Sequence, residues 1–455
     1  MALGDILIRG PRIIDPGQGL DQIGDVLIRD GVILAAGRSV SGSVPEGARI
    51  IEAADLVASP GFIDMHCHLR VPGFEHKETV ASGTRAAAHG GFTTLCCMPN
   101  TQPAIDSRHV VEQLQQRFRD EAVVRVYPIG CVTKGRQGEE IAPLDDLAAA
   151  GVVAFSDDGD PVYDPNLMRL ALTRSVELGL PISNHCQERT ISLEGVMADG
   201  ETARRLGLPG IPAAAEETMM ARDISLAQET GGRLHVAHVS SAGTIPLLRR
   251  ARELGLAVSA EVCPHHLTIT DRWALGNRGA EPEVQDPLGY DTSTKVYPPL
   301  RTQADVDALV EGLAEGLIDC IATDHAPHDQ ASKQCGYEDA AFGISVLETA
   351  LGSALQLVHH GRLSLTALVE RMTVGPANAL GPAFTELGTL RNGTPADIVL
   401  FDPGLEWVVD TGEFESMGRN TPLQGTGLKG RVMATLVAGE VVFQDKTRWP
   451  VTDAR

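Results

Sequence analysis

The chain of 455 residues carries 60 acidic and 38 basic side chains, a formal net charge of −22 at pH 7. A surface this acidic repels phosphate backbones and anionic lipids, so we expect neither nucleic acid nor a membrane as partner. Net charge says little about a small-molecule substrate, which responds to local charge. Hydrophobic residues make up 43% of the chain and aromatic residues 4%, which predicts a sizeable core filled mainly by aliphatic side chains.

Apolar runs and cysteine usage indicate the compartment. Charged residues or glycines interrupt every apolar run well short of the roughly 18 residues that a membrane span needs. The N-terminal segment MALGDILIRG lacks the basic leader and apolar stretch of a secretory signal. The eight cysteines include no CxxC pair, a pattern typical of free thiols in a reducing environment. We therefore expect a cytoplasmic protein.

Both ends of the chain predict short strands with tight turns. In GDVLIRDGVILAAG, two alternating apolar runs flank Asp30-Gly31, which predicts a β-hairpin. The C-terminal end shows the same pattern of short apolar runs around a turn, with the predicted turn of VMATLVAGEVVFQD at Ala438-Gly439. Strand-rich ends around a different middle predict one small β-sandwich domain built from both chain ends.

The middle of the chain alternates between strand-like and helix-like segments. The predicted strands are short apolar runs at 60–66, 92–98, 123–130, 152–156, 181–185, 233–238, 256–262 and 318–323. Segments with helical spacing lie between most of them, so the α/β class and a (β/α)8 TIM-type barrel are predicted, with a doubly wound parallel sheet as the alternative. The predicted limits are 1–58 and 381–455 for the two parts of the small domain and 59–380 for the barrel.

His and Asp residues end the predicted strands. His66 and His68 alternate with their apolar neighbours, so both imidazoles project from one side of the first barrel strand. Such a pair is weak evidence alone, but four later strands end in the same way, with Asp157 and Asp158, His185, His235 and His238, and finally Asp324, His325 and His328. Barrel enzymes place their sites at this end of the strands.

These residue types suit divalent zinc. Neutral imidazoles and carboxylates bind the ion at about 2.0–2.2 Å. Four histidines and two aspartates exceed one tetrahedral shell, so we predict two zinc ions per subunit, roughly 3.5–4 Å apart with a shared water. Asp158 is the predicted carboxylate bridge, and Asp157 is its alternative.

Several segments together resemble one known family. They are HCHLRVPG, CMPNT, FSDDG, AHVS, CPHHL, PPLR and ATDHAPH. The set resembles the dihydroorotases of the amidohydrolase superfamily, in their longer bacterial type, and the likeness extends to GTPADIVLFDP and RNTPLQG near the C-terminus. Hydantoinases and allantoinases usually carry a carboxylated lysine as the metal bridge, and the strand that ends in FSDDG contains no lysine.

The resemblance implies a role for each matching residue. His66, His68 and Asp324 correspond to ligands of one metal ion. His185 and His238 correspond to ligands of the other, and Asp158 corresponds to the bridge. The implied substrate-binding residues are Arg70, Asn100, His328, Phe342 and Gly343. Arg70 also makes physical sense, since a guanidinium fork matches a carboxylate bidentately.

Tyr297, in KVYPPLR, departs from the family pattern, because many relatives have an asparagine there that contacts substrate. Our hypothesis is that its phenol hydroxyl reaches the substrate in place of the missing amide. The alternative is that the ring turns outward and packs under a long polar loop predicted at 275–295.

The reaction implied by the resemblance is reversible and belongs to de novo pyrimidine biosynthesis. It interconverts (S)-dihydroorotate and water with N-carbamoyl-L-aspartate. A metal-bridging hydroxide attacks the ring carbonyl, and Asp324 takes the proton and passes it to the leaving nitrogen as the catalytic acid and base.

Two alternative functions stay open. The first is a hydantoinase- or allantoinase-like cyclic amide hydrolase; Arg70 argues against it, because hydantoins have no carboxylate to bind. The second is a non-catalytic, dihydroorotase-like partner of aspartate transcarbamoylase, against which the complete set of metal ligands argues. We also expect a homodimer, and aspartate transcarbamoylase is the candidate protein partner.

Overall fold

The computed structural model describes residues 4–38, 40, 47–276 and 289–449. Most of the polar loop predicted at 275–295 therefore lies outside the described residues. The strands are β1 (Ile6–Arg9), β2 (Arg12–Asp15), β3 (Leu20–Ile23), β4 (Asp25–Arg29), β5 (Val32–Gly37), β6 (Arg49–Glu52), β7 (Val57–Pro60), β8 (Phe62–Cys67), β9 (Phe92–Cys97), β10 (Arg125–Pro128), β11 (Ile182–Asn184), β12 (Met197–Ala198), β13 (Gly210–Ile211), β14 (Leu234–Val236), β15 (Val258–Val262), β16 (Cys320–Ile321), β17 (Ile398–Val408), β18 (Gly427–Val437) and β19 (Glu440–Gln444).

The helices lie mostly between the strands of the middle region. They are α1 (Val80–His89), α2 (Arg108–Glu121), α3 (Leu144–Ala150), α4 (Pro165–Leu178), α5 (Arg189–Ser192), α6 (Glu201–Leu206), α7 (Ala214–Thr230), α8 (Thr244–Glu253), α9 (Pro264–Thr268), α10 (Gln303–Ala314), α11 (Ala350–His359), α12 (Leu365–Met372) and α13 (Val374–Leu380). Capping boxes start α1 at Thr79 and α10 at Thr302, where each threonine side chain accepts from the backbone of the third helical residue.

Parallel strands of the middle region close into a barrel. β8, β9 and β10 pair in one sheet, and β11, β14, β15 and β16 pair in the order written. Parallel bridges from Phe155 to Gly130 and Ile182 join the two sheets, and a bridge from Cys67 to His325 closes the ring. The predicted (β/α)8 barrel is therefore confirmed.

The fourth barrel strand is shorter than predicted from 152–156. It consists of the bridges at Phe155, whose neighbours on the two sides include Pro128 and Pro181. Both prolines accept a hydrogen bond from this strand but have no N–H to return one, so the ladder stays short. The same segment leads directly into Asp157 and Asp158.

A two-sheet β-domain stands beside the barrel. One sheet has the order β5-β4-β1-β6, and the other has the order β19-β18-β17-β7-β2-β3, which interleaves strands from both chain ends. A common apolar core lies between them, with Ile8, Ile13, Ile28, Ile398 and Leu436 among its fully enclosed members. The predicted sandwich from both ends is confirmed, and the limits at residues 58 and 380 stay predictions.

The two predicted hairpin turns pack against each other. Asp30 and Gly31 have φ of 49° and 80°, and Ala438 and Gly439 have φ of 47° and 80°, the positive values that a tight two-residue hairpin needs. A Cβ atom on Gly31 would lie 2.5 Å from the carbonyl oxygen of Ala438, so only glycine fits there.

Two further observations concern membranes and disulfides. Among the described residues, no helix combines the length and the apolar character that crossing a bilayer requires. All eight cysteines fall in the described part of the chain, and none of them forms a disulfide.

Candidate active site

The predicted metal ligands come together at the carboxyl end of the barrel. They are buried side chains on or just after successive strands: His66 and His68 at the end of β8, Asp158 after the fourth strand, His185 after β11, His238 after β14 and Asp324 after β16. Since parallel strands run in one direction around the barrel, residues at their ends share one mouth. The predicted ligands, although distant in the sequence, therefore lie together at the carboxyl mouth of the barrel.

The carboxylate of Asp158 lies among four imidazoles. Its Oδ1 is 3.3 Å from His66 Nε2, 3.4 Å from His238 Nε2 and 3.6 Å from His185 Nδ1. Its Oδ2 is 3.5 Å from His68 Nε2. A carboxylate with its two oxygens directed at different histidines has the geometry of a bridge between two cations.

Asp157, the alternative bridge, points elsewhere. Its Oδ1 accepts from the backbone N–H groups of Val132, at 2.9 Å, and Thr133, at 3.1 Å. The side chain therefore ties the segment after the fourth strand to the segment after β10. Register alone left the two aspartates interchangeable, and the structure places only Asp158 among the histidines.

Asp324 completes the cluster on the side of β8. Its Oδ1 lies 2.9 Å from His68 Nε2 and 3.5 Å from His66 Nε2. Two groups of possible ligands result, His66 with His68 and Asp324, and His66 with Asp158 and His238, each with its donor atoms within 4.8 Å of one another. His185 adjoins the second group, with its Nδ1 2.9 Å from His238 Nε2.

The electrostatics favour anionic carboxylates. Burial opposes ionisation of Asp158, but His66, His185 and His238 hold the pKa of its carboxyl well below the usual range. Burial also opposes ionisation of Asp324, and its imidazole neighbours lower its pKa to about 2. Both groups are therefore carboxylates at neutral pH, which is the form that binds a cation.

The unsatisfied atoms of the cluster fit a divalent metal. His66 Nε2 and Asp158 Oδ1 are buried and have no hydrogen-bond partner among the described residues. An unsatisfied buried polar atom costs about 1–3 kcal/mol, so converging atoms of this kind need an explanation. Imidazole nitrogens and carboxylate oxygens are the donors that divalent ions of the zinc type accept.

Strained backbone is concentrated at this site. Arg70, His238 and Asp324 have φ of 61°, 31° and 45°, in the left-handed region that residues other than glycine rarely adopt. Each such residue costs on the order of 1–3 kcal/mol, and such residues cluster at functional sites where the surrounding structure holds them in place. The three residues are one predicted substrate contact and two predicted metal ligands.

The predicted substrate-binding residues line one cavity with the metal cluster. The cavity has a volume of about 320 Å³, and its walls include His68, Arg70, Asn100, Asp158, His185, Tyr297, Asp324, His328, Phe342 and Gly343. Arg70 Nε donates to the carbonyl of Pro327 at 3.2 Å, which holds the guanidinium at the wall. Burial lowers the pKa of Arg70 to about 10, so the group is still a cation at neutral pH.

Asn100 contacts a metal-side histidine as well as the cavity. Its Oδ1 lies 2.9 Å from His68 Nδ1 and accepts from that nitrogen when it carries the proton. In that tautomer of the neutral ring, Nε2, which lies 2.9 Å from Asp324 Oδ1, would be the nitrogen that can bind a metal ion. Asn100 therefore orients His68, a contact that the sequence did not predict.

His328 and the segment 342–343 are held by Asn420. His328 Nε2 donates to the carbonyl of Phe342 at 2.8 Å, and burial, followed by nearby cations including Arg70, lowers its pKa to about 2. Asn420 Nδ2 donates to the carbonyl of Gly343 at 2.9 Å, and its Oδ1 accepts from the backbone N–H of His328 at 2.9 Å. These contacts fix a neutral imidazole and the adjoining loop.

Gly343 lies where no other residue fits. Its φ is 141°, and a Cβ atom would stand 2.7 Å from the carbonyl oxygen of Ala326. Its N–H donates to the carbonyl of Lys295 at 2.9 Å, and its carbonyl accepts from Asn420. Both backbone polar groups of Gly343 thus have partners within the protein.

The ring of Tyr297 packs against His185, one of the predicted metal ligands. The ring stacks on His185 with centroids 4.6 Å apart and planes at 26°, and Phe342 lies 5.0 Å away on centroids. Burial raises the pKa of the phenol, and a hydrogen bond with Ser192 opposes that rise. The ring therefore lines the cavity, whereas its hydroxyl engages Ser192 at the end of α5.

Sequence reasoning overlooked Glu261 and gave Asn420 no role. Glu261 is the one charged residue in the strand sequence VSAEV, a pattern that could have drawn attention to it. His235, which also ends a predicted strand, lies away from the ligand cluster; its ring is 2.8 Å from Ser259 Oγ and 3.1 Å from Glu261 Oε2. His325 does not touch the Asp324 carboxylate but accepts from the N–H of Val346 at 3.0 Å.

Comparison with known proteins identifies the family. The dihydroorotase of Pelotomaculum thermopropionicum is 49% identical over 442 residues, which cover 97% of this chain and 99% of that protein. The dihydroorotase of Syntrophus aciditrophicus is 46% identical over 440 residues, again 97% and 99% of the two chains. The chain belongs to the dihydroorotase family. A family model described as dihydro-orotase-like also matches residues 56–244.

Solved structures of a hydantoinase and a dihydropyrimidinase have the same fold. The L-hydantoinase of Arthrobacter aurescens superposes with a TM-score of 0.84 at 26% identity, over 97% of this chain and 96% of that one. A dihydropyrimidinase from Brevibacillus agri superposes with a TM-score of 0.82 at 24% identity, over 97% and 95%. The barrel with its β-domain matches these folds, and the dihydroorotases named above confirm the resemblance that the sequence motifs indicated.

Proposed function

We propose that this dihydroorotase-family chain catalyses the reversible hydrolysis of (S)-dihydroorotate to N-carbamoyl-L-aspartate. The observation that carries the proposal is the shared cavity, in which Arg70 faces the same space as Asp158 and Asp324. The cavity therefore offers Arg70 as a cation for a substrate carboxylate and, beside it, the proposed metal ligands that would act on an amide carbonyl. That pairing suits a cyclic amide that bears a carboxylate.

The metal centre that we propose holds two zinc ions. His66, His68 and Asp324 would hold one ion, His185 and His238 the other, and Asp158 both, in accordance with its position among the imidazoles. Zinc at such a site polarises an amide carbonyl and lowers the pKa of a bound water from about 15.7 to about 7.

The side chains divide the remaining work. Arg70 would bind the substrate carboxylate through a bidentate pair of N–H groups, with Asn100 beside it. Neutral His328 has a buried Nδ1 without a hydrogen-bond partner among the described residues, which is available to accept an N–H of the substrate. Asp324 would accept the proton released by the attacking water and deliver it to the ring nitrogen as the C–N bond breaks.

A steady-state assay with the purified, zinc-loaded chain tests the proposal. Dihydroorotate and N-carbamoyl-L-aspartate are each offered as substrate, and hydantoin and allantoin are offered in parallel. Turnover of the first two in both directions supports the proposal. Turnover of hydantoin or allantoin with no turnover of dihydroorotate would replace it with the cyclic amide alternative.

Assembly and location stay predictions. The predicted homodimer is tested by light scattering of the purified chain, and an interaction with aspartate transcarbamoylase by co-purification and by assay in its presence. A chain that is inert alone and in the presence of that partner, although fully loaded with zinc, would favour the non-catalytic alternative. The predicted cytoplasmic location is tested by fractionation of the native cells.

A further inference from the structure

A buried glutamate lies directly behind the metal cluster. Glu261 lies on β15 and is fully buried. Its carboxylate reaches two histidines of the cluster, which lie on or just after different strands. Its Oε1 lies 2.6 Å from His66 Nδ1 and 3.2 Å from the backbone nitrogen of His238. One carboxylate thus contacts a residue from each half of the proposed metal centre.

The contact with His66 fixes the proton on that ring. An ionised carboxylate can only accept, so His66 Nδ1 is the donor and carries the hydrogen. With the hydrogen on Nδ1, a neutral ring presents the lone pair of Nε2 towards Asp158 and Asp324, whose Oδ1 atoms lie 3.3 and 3.5 Å away. This is the tautomer that a metal ligand requires.

A second histidine supports Glu261 from the opposite side. His235 Nε2 lies 3.1 Å from Glu261 Oε2, and its Nδ1 lies 2.8 Å from Ser259 Oγ. With Nε2 as the donor to the carboxylate, Nδ1 accepts from the serine hydroxyl. The chain of contacts Ser259–His235–Glu261–His66 is therefore consistent in donors and acceptors from end to end.

Glu261 also holds the strained backbone of His238. The φ of His238 is 31°, a conformation that persists only when neighbouring contacts impose it. The carboxylate accepts from the N–H of His238, and the backbone carbonyl of Glu261 accepts from the N–H of Val239 at 2.9 Å. Both contacts of this turn thus end on the same residue of β15.

We propose that Glu261 is a positioning residue for both halves of the metal centre. It holds His66 in the tautomer whose Nε2 can bind metal, and it holds the turn that directs His238 into the cluster. This inference depends on the proposed metal-ligand roles of His66 and His238 but does not depend on which cyclic amide is the substrate. Residues that orient metal-bound histidines typically change metal affinity 10- to about 100-fold when they are removed.

The test is zinc affinity of the Glu261→Gln variant, measured by competition with a chromophoric chelator. We expect a 10- to about 100-fold weaker zinc affinity than in the wild type. Cobalt(II) substitution provides a second readout, because its visible spectrum reports ligand geometry and should change in the variant. Both readouts are taken on folded protein, verified by circular dichroism and thermal unfolding.

Glu348→Gln is the matched control. Glu348 Oε1 lies 2.6 Å from His89 Nδ1, the same pair of groups at the same separation, and its side chain is also buried. The pair His89–Glu348 lines a different cavity from the candidate site. The control should keep the zinc affinity and cobalt spectrum of the wild type, although it loses a comparable buried contact.

The outcomes separate this inference from the proposed function. Wild-type zinc affinity and an unchanged cobalt spectrum in Glu261→Gln would overturn the positioning role, as would an equal loss in Glu348→Gln. If Glu261→Gln does not fold, Glu261→Asp retains the charge with a shorter reach, and it should fold and bind zinc more weakly; wild-type affinity there would overturn the role. A wild-type chain that binds zinc but leaves dihydroorotate unchanged would contradict the proposed substrate alone.

Discussion

The two sides of the cavity are built in different ways. On the metal side, the side chains lie at the ends of barrel strands, and contacts such as that of Glu261 with His66 hold them from behind. On the substrate side, Tyr297, His328 and Phe342 lie outside the strands, in segments that are held by Asn420 and by one another. The proposed metal ligands therefore depend on the barrel framework, whereas the proposed substrate contacts depend on the loops beside it.

The largest effect is expected on the metal side, from Asp324→Ala. This side chain is a proposed ligand and the proposed proton carrier, and general acid–base catalysis alone contributes about 10²- to 10⁴-fold. We expect turnover to fall by at least that factor, beyond what any loss of metal explains. Rate and metal content are measured on the same samples.

Asp319→Ala is the control for this change. Asp319 directly precedes β16, at the opposite end of the strand from Asp324, and accepts from the N–H of Ala260 at 2.8 Å. This variant should lose stability rather than turnover per folded chain. Near-normal turnover of Asp324→Ala with full metal would remove Asp324 from the mechanism.

On the substrate side, Arg70→Met should have the next largest effect. A hydrogen bond to a charged group is worth about 1.5–3 kcal/mol, so kcat/KM for dihydroorotate should fall roughly 10- to 150-fold. The loss should appear mainly in KM, and the zinc content should stay at the wild-type level. Arg85→Met, which breaks an exposed pair with Glu415, should leave both unchanged. A variant of Arg70 with normal KM would contradict the carboxylate-binding role.

Gly343→Ala probes how tightly the substrate-side loop is packed. The new Cβ atom would meet the backbone of Ala326, and overpacking of this kind typically costs about 1–3 kcal/mol. We expect kcat/KM to fall about tenfold with zinc content unchanged, since the displaced loop carries no proposed ligand. Gly207→Ala, at a φ of 70° with open space around it, pays only the backbone cost and should keep full activity. Equal effects of the two changes would contradict the packing argument.

Tyr297→Phe should have the smallest effect. The phenol hydroxyl engages Ser192, and the ring stacks on His185, so deletion of the hydroxyl leaves the stacking intact. A neutral hydrogen bond contributes about 0.5–1.5 kcal/mol, which corresponds to roughly 2- to 13-fold, and we expect a loss in kcat/KM at the lower end because the hydroxyl engages Ser192. Tyr297→Ala should lose more, because it removes the ring from the cavity wall. A large loss in Tyr297→Phe would restore the hypothesis of a direct hydroxyl contact with substrate.

The sequence predicted the metal side more fully than the substrate side, for a physical reason. A strand alternates its side chains with a period of two, so the pattern HCH on a buried strand is enough to place His66 and His68 on the same face. The barrel then brings the ends of distant strands to one mouth. The same logic anticipated the positions of the barrel strands, although the fourth is reduced by its proline neighbours and β16 is limited to Cys320–Ile321.

No comparable periodicity in the sequence predicts how the loops on the substrate side are arranged. The orientation of Tyr297, the closed backbone contacts of Gly343 and the role of Asn420 depend on tertiary contacts between segments that are distant in the sequence. Glu261 was overlooked because a single glutamate in a strand carries no periodic signal, although burial of a charge requires partners. Asp158 was the predicted bridge with Asp157 as the alternative, and the contacts of each carboxylate now distinguish the two.

Six side chains are proposed to form a two-metal centre with Asp158 as its bridge. The most direct test is metal analysis of the chain purified without chelator and reloaded with zinc, compared with Asp158→Asn treated identically. We predict two equivalents of zinc per chain in the wild type and a substantial loss in the variant. A single equivalent in the wild type at saturating zinc, or full binding in Asp158→Asn, would contradict the account.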